Sequence, residues 1–202
     1  MGTIHRVINH PYFFWAILSI PAIPMIANLM TSSDPRLVHK LLHPTGEFAA
    51  RFMIIAMMVT PLTLLLPGWR GPRWLLQRRR YIGIAAFTYA LAHTVLYLLD
   101  KGAVAASGTE IAKIYIWTGW LAFIIFVPLA VTSTDGWVRS LGPKWKSLQR
   151  GIYAASVLTL IHWATLNNWG GIAPAAVHFL PLILLELYRV YWNLNRRRAA
   201  LA

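Results

Sequence analysis

The chain predicts an all-α fold, an integral membrane bundle of six transmembrane helices with both termini cytoplasmic. Three observations carry that expectation. Of 202 residues, 57% are hydrophobic and only 12% charged, a membrane composition and not a soluble one. The apolar residues come in long blocks, not in the one-sided stripe of a surface helix. The basic residues fall mostly on alternate connections between those blocks.

A helix needs about 20 apolar residues to cross roughly 30 Å of hydrocarbon. Six stretches approach that length: 12–30, 48–66, 81–99, 111–131, 152–166 and 172–192. The first lacks a small-residue cleavage pattern at its end and reads as a retained helix, not a signal peptide. Its Pro21 and Pro24 predict a kink, which packed membrane helices tolerate. Thr45 is placed to cap the second helix, with Glu47 in its first turn favoured by the helix dipole. Between the second and third, Pro67, Gly68, Gly71 and Pro72 predict a break, after which Arg78, Arg79 and Arg80 mark the inner start of the third helix. The fourth ends at Ser133, Thr134, Asp135 and Gly136, and Gly142-Pro143 interrupts the amphipathic inner segment that follows. The fifth stretch is short. Connections are brief throughout, so residues 1–202 read as one compact bundle.

With the N-terminus inside, fourteen basic residues fall on inner loops and tail. Only five, Arg36, Lys40, Arg51, Lys101 and Lys113, lie on the outer side, beside Asp34, Glu47, Asp100 and Glu110. The net charge of +13 is thus a topology signal with attraction to anionic lipid heads, and no nucleic-acid partner is expected. Cysteine is absent. Disulfides, thiolate metal sites and iron–sulfur clusters are excluded, and any cofactor is held by histidine, carboxylate, charge or shape.

Two histidines stand out inside apolar stretches, His93 in the third and His162 in the fifth. An unpartnered imidazole in hydrocarbon is costly. At about 1.5 Å per residue His93 lies roughly 18–20 Å above Arg80, and His162, on a helix running the same way, reaches a similar depth. Two neutral imidazoles at one level on parallel helices suit the axial ligation of one heme iron. His178, in the sixth stretch, comes to a similar level and is the reserve ligand. Arg51, one turn inside the second helix, either snorkels outward or meets a buried anion, such as a heme propionate. The Arg78–Arg80 run either anchors the helix on the inner side or binds a phosphate or carboxylate. Glu186, with Arg189 three residues later, is the acid within the inner half and a proton-handling candidate.

The chain resembles the ferric-reductase-like transmembrane family, and within it the heme-binding subunits that serve periplasmic methionine sulfoxide reductases. The likeness covers residues 41–163. It rests on His43-Pro44-Thr45-Gly46 followed by Thr60-Pro61-Leu62, Arg79-Arg80 with His93, Thr132-Ser133, Leu141-Gly142 with Trp145 and Leu148, and Ile161-His162. The resemblance implies a bacterial inner-membrane b-type cytochrome. Its electrons would come from the quinol pool or a cytoplasmic flavin reductase and pass through a flavin, FMN, and heme b to a periplasmic molybdenum-containing, MsrP-like reductase. His93 and His162 match family heme-ligand positions. Where the family typically reads Leu-His before the fifth helix, this chain reads Leu148-Gln149. Two-heme relatives carry inner histidines at positions occupied here by Arg79 or Arg80 and by Gln149, so one heme is expected, on the outer side. The inner half is then left to a flavin or quinol near Arg78, Arg79, Arg80 and Lys144. Gln149 either hydrogen-bonds that ring or is a passive substitute. The alternatives are a transmembrane ferric or oxygen reductase with another acceptor and, from a different class, a heme-free transporter with histidines lining a polar path.

Overall fold

The computed structural model describes residues 3–102 and 112–200. Glu110 and Ile111, the first residue of the fourth expected stretch, lie outside them. The described residues hold helices and no strand: α1 (Thr3–Asn9), α2 (Pro11–Ser19), α3 (Ala22–Thr31), α4 (Leu37–Leu65), α5 (Arg70–Lys101), α6 (Ile114–Val131), α7 (Asp135–Leu141), α8 (Pro143–Gln149), α9 (Gly151–Ala164) and α10 (Ile172–Ala199).

Four of these, α4, α5, α6 and α10, are long and apolar enough to cross a membrane. The pair α2–α3, bent by 54° at the Ile20-Pro21 break, makes a fifth if it is one span. That bend is where Pro21 and Pro24 predict a kink. Helix α9 has 14 residues, about 21 Å of rise, short of the hydrocarbon thickness.

Two helix starts differ from expectation. Helix α4 begins at Leu37, not after Thr45, and runs through Pro44. Thr45 is buried inside it, and its hydroxyl donates to the carbonyls of Leu41 and Leu42 at 2.7 and 3.0 Å instead of capping. Burial of Leu41 with Met25, Ala49 and Tyr89 explains the longer helix, because packing outweighs local preference. Helix α5 begins at Arg70 and takes Pro72 in its first turn, where a missing N–H costs nothing. The inner segment agrees with the sequence. Thr134 caps α7 by accepting from the Trp137 amide, and Gly142, at φ 51°, separates α7 from α8.

Helix α4 packs along α5, and α6 along α9, as two hairpin-like pairs; α10 closes the bundle against α4 and α9, while α2 and α3 cover α5 and α4. Their shared core holds Met53, Met57, Ala86, Phe126, Trp163 and Phe179. Ala86, Ala155 and Ala175 are wholly buried, as small residues are where helices approach closely. The outward faces carry large apolar side chains, Val177 71% and Leu187 61% exposed among them, a pattern that fits lipid contact and not water. Between α9 and α10 the chain turns through Asn167, Asn168 and Trp169, all at positive φ. Asparagine is the residue that tolerates such a conformation. Gly171 then lies so close to the Trp163 carbonyl that any Cβ would overlap it.

Candidate functional site

The structure brings His93, on α5, and His162, on α9, together. Their ring centres are 6.2 Å apart with planes at 85°. His93 Nδ1 is 2.9 Å from the carbonyl oxygen of Leu42 on α4, and His162 Nδ1 is 2.6 Å from that of Tyr115 on α6. A carbonyl only accepts, so Nδ1 carries the proton on both rings and Nε2 keeps the lone pair. An N–H···O=C bond at one imidazole nitrogen is the usual outer support of a metal-ligating histidine, fixing its tautomer and raising its basicity.

The spacing also suits a metal. With a metal–imidazole bond of about 2.0–2.1 Å and about 1.1 Å from ring centre to nitrogen, one ion held between two rings sets their centres roughly 6.3 Å apart. The pair therefore fits bis-imidazole ligation, and among the described residues no group of three or more His, Cys, Asp or Glu side chains offers a competing metal site.

His178 is placed differently. Its Nδ1 donates to Pro174 O at 2.7 Å and its Nε2 accepts from Arg51 Nε at 3.1 Å, so both ring nitrogens are engaged away from the His93–His162 pair. Its ring lies 4.8 Å from that of Trp163. Arg51 also binds Glu47 at 2.5 Å and sits over the Phe48 ring. Glu47 in turn lies 3.6 Å from His43. The anion met by Arg51 is therefore Glu47, one helical turn away. His39, exposed, is tied to Asp100 at 3.0 Å.

The residues expected on the inner side do not converge. Arg78 is buried, donates to Asn9 Oδ1 at 2.8 Å and stacks on Trp74. Arg79 reaches Thr60 Oγ1 at 2.9 Å, and Arg80 pairs with Asp135. Gln149 Nε2 donates to Leu129 O at 3.0 Å and Thr132 Oγ1 at 3.3 Å, tying α8 to the end of α6, while Lys144 is exposed. Glu186 pairs with Arg189 at 3.1 Å, and Arg189 also donates to the Tyr153 hydroxyl. A cleft of about 170 Å³ lies between Asn9, Pro11, Gln77, Arg78 and Tyr81, below the several hundred cubic ångströms of most cofactor sites.

Sequence reasoning missed Gly119 and the Leu42 and Tyr115 carbonyls. One signal was available: a glycine within an apolar helix costs up to about 1 kcal/mol against alanine, so its presence points to close packing.

A family model described as "Ferric reductase like transmembrane component" matches residues 45–160. Three relatives illustrate the likeness, each named "Protein-methionine-sulfoxide reductase heme-binding subunit MsrQ". The protein of Xanthomonas campestris pv. campestris (strain 8004) is 37% identical over 169 residues, 82% of this chain and 74% of its own length. That of Azospira oryzae is 35% identical over 157 residues, 76% of this chain and 66% of the relative. That of Rhodospirillum rubrum is 40% identical over 124 residues, 58% of this chain and 57% of the relative. No solved structure matches the chain significantly.

Proposed function

Because the chain belongs to the ferric-reductase-like transmembrane family, and within it to the MsrQ group, we propose that it is a membrane b-type cytochrome holding one heme b between His93 and His162. The observation that carries this reading is the imidazole pair 6.2 Å apart, each ring donating through Nδ1 to a backbone carbonyl. A heme with both axial positions filled supplies one-electron transfer and no open site for substrate. The chain's own part is to hold two neutral imidazoles at fixed orientation in a dry shell and to set the charge near the outer end. There Arg51 is shared between Glu47 and His178, and its part toward the propionates would be to offset their charge.

The reading extends to topology and partners. Helices α2–α3, α4, α5, α6, α9 and α10 make six crossings of a bacterial inner membrane with both termini cytoplasmic, the 14-residue α9 being the short one; the excess of basic residues on alternate connections supports this orientation. Electrons enter from the quinol pool or a cytoplasmic flavin reductase and leave to a periplasmic MsrP-like reductase, a reading supported by the relatives' names as heme-binding subunits of a methionine sulfoxide reductase. FMN belongs to this reading at the inner face, but Arg78, Arg79, Arg80 and Gln149 are each bound to another protein group.

The test is an absorption spectrum of the detergent-purified protein, oxidised and reduced, with heme and FMN quantified. Replacing either His93 or His162 with Ala is expected to abolish the reduced b-type bands. Unchanged spectra in both variants overturn the assignment. Loss in the His162 variant alone moves the second ligand to His178.

A further inference from the structure

Both histidines are seated by the same local device. The carbonyl that His93 reaches belongs to Leu42, four residues before Gly46; the carbonyl that His162 reaches belongs to Tyr115, four residues before Gly119. Carbonyls point along a helix toward its C-terminus, and each Cα–Cβ bond tilts toward the N-terminus, so a side chain at position i overhangs the carbonyl of i−4. Glycine leaves that spot open. A Cβ at Gly46 would lie 3.0 Å from His93 Nδ1 and 3.1 Å from its Cε1; at Gly119 it would lie 2.8 Å from His162 Nδ1 and 3.0 Å from its Cε1. These contacts are with imidazole rings, which cannot fold aside as a flexible chain end does. Gly83, by contrast, lies within α5 with nothing in reach of a Cβ.

We propose that Gly46 and Gly119 are positioning residues for the metal ligands: each opens the helix face through which His93 or His162 donates Nδ1–H to a carbonyl, and so fixes the nitrogen and ring plane offered to the iron. The device occurs once in each helix pair, α4 with α5 and α6 with α9. An added Cβ pushes the imidazole off its carbonyl, weakening the bond that holds the tautomer and turning the ring from its near-perpendicular arrangement.

This inference rests on the proposed heme ligation, and the experiment separates the two. Gly46→Ala, Gly119→Ala and the control Gly83→Ala are purified in detergent. Heme stoichiometry and affinity, midpoint potential and the low-spin ferric electron paramagnetic resonance spectrum are then compared, with helicity by circular dichroism as a folding check. Perpendicular imidazole planes leave two iron d orbitals nearly degenerate and give one large-g feature; rotating a ring splits them and lowers that g value. Gly119→Ala, the tighter contact, is expected to bind heme about tenfold more weakly, the cost typical of losing a ligand's outer partner. Gly46→Ala is expected to keep more heme, with a lowered largest g value and a higher midpoint potential, because a less basic imidazole stabilises the ferric state less. Gly83→Ala should match the wild type in every readout. If Gly119→Ala does not fold, the spectrum of Gly46→Ala decides. Wild-type affinity, g values and potential in the folded glycine variants overturn this inference alone, whereas a wild-type protein that binds no heme removes the functional reading beneath it.

Discussion

Replacing Arg51 with Met measures how much the Arg51–Glu47 pair within α4, which also reaches His178 on α10, contributes to stability. Arg51 binds Glu47 at 2.5 Å within α4 and donates to His178 on α10 at 3.1 Å. Charges about 4 Å apart at an effective dielectric near 20 attract by about 4 kcal/mol before costs. The Arg51 side chain is 38% exposed and Glu47 19%, so water screens part of that attraction, and ordering the long side chain removes more. A net coupling of about 1–2 kcal/mol remains, between the values for exposed and buried pairs. For a chain of this size each kcal/mol moves the unfolding midpoint by about 2–4 °C, so Arg51→Met should lower it by roughly 2–8 °C. The assay is thermal unfolding in detergent followed by tryptophan fluorescence, run as a double-mutant cycle with Glu47→Gln. The double variant is expected to lose less than the sum of the singles, because Arg51 removal strands the Glu47 charge and the second substitution removes it. Strictly additive losses would refute the coupling.

Two further perturbations test the packing around the site. Gly171→Ala places a Cβ against the Trp163 carbonyl, a backbone group that has no rotamer to yield; a loss of about 3 kcal/mol or more is expected. The unfolding midpoint should fall clearly below that of Gly83→Ala, and a wild-type midpoint would disprove the close approach. Asn9→Ala removes the acceptor shared by buried Arg78 at 2.8 Å and Trp74 Nε1 at 2.9 Å, at a cost of about 1–3 kcal/mol. Limited proteolysis should then cut faster within α1, and an unchanged rate would show that Asn9 does not hold α1 to α5.

Elements marked by composition or by strong breakers are legible in the amino-acid sequence. The proline pair at positions 21 and 24 bends the first segment, Thr134 and Asp135 open α7, and Gly142 divides the inner segment, each through a backbone constraint local to that residue. Thr45 and Pro72 mislead because proline and hydroxyl residues signal a boundary only when nothing outside the helix favours continuing it. Here buried Leu41 extends α4 backward, and first-turn tolerance of proline extends α5.

The sequence by itself determined the solvent of this protein and the short list of residues from which a site can be built. Hydrophobic block length, loop charge and the lack of cysteine are sums over single residues and need no packing to be evaluated. Two histidines at similar depth within apolar segments follow from the sequence and the helical rise alone. Only the tertiary structure decided which groups meet: that His93 and His162 face each other while His178 turns to Arg51, that the Arg78–Arg80 run disperses to Asn9, Thr60 and Asp135, and that two glycines open the carbonyls on which the imidazoles rest. Those choices depend on the rotation and spacing of helices distant in sequence, down to the width of a single Cβ, a property of the packed bundle and not of any one segment.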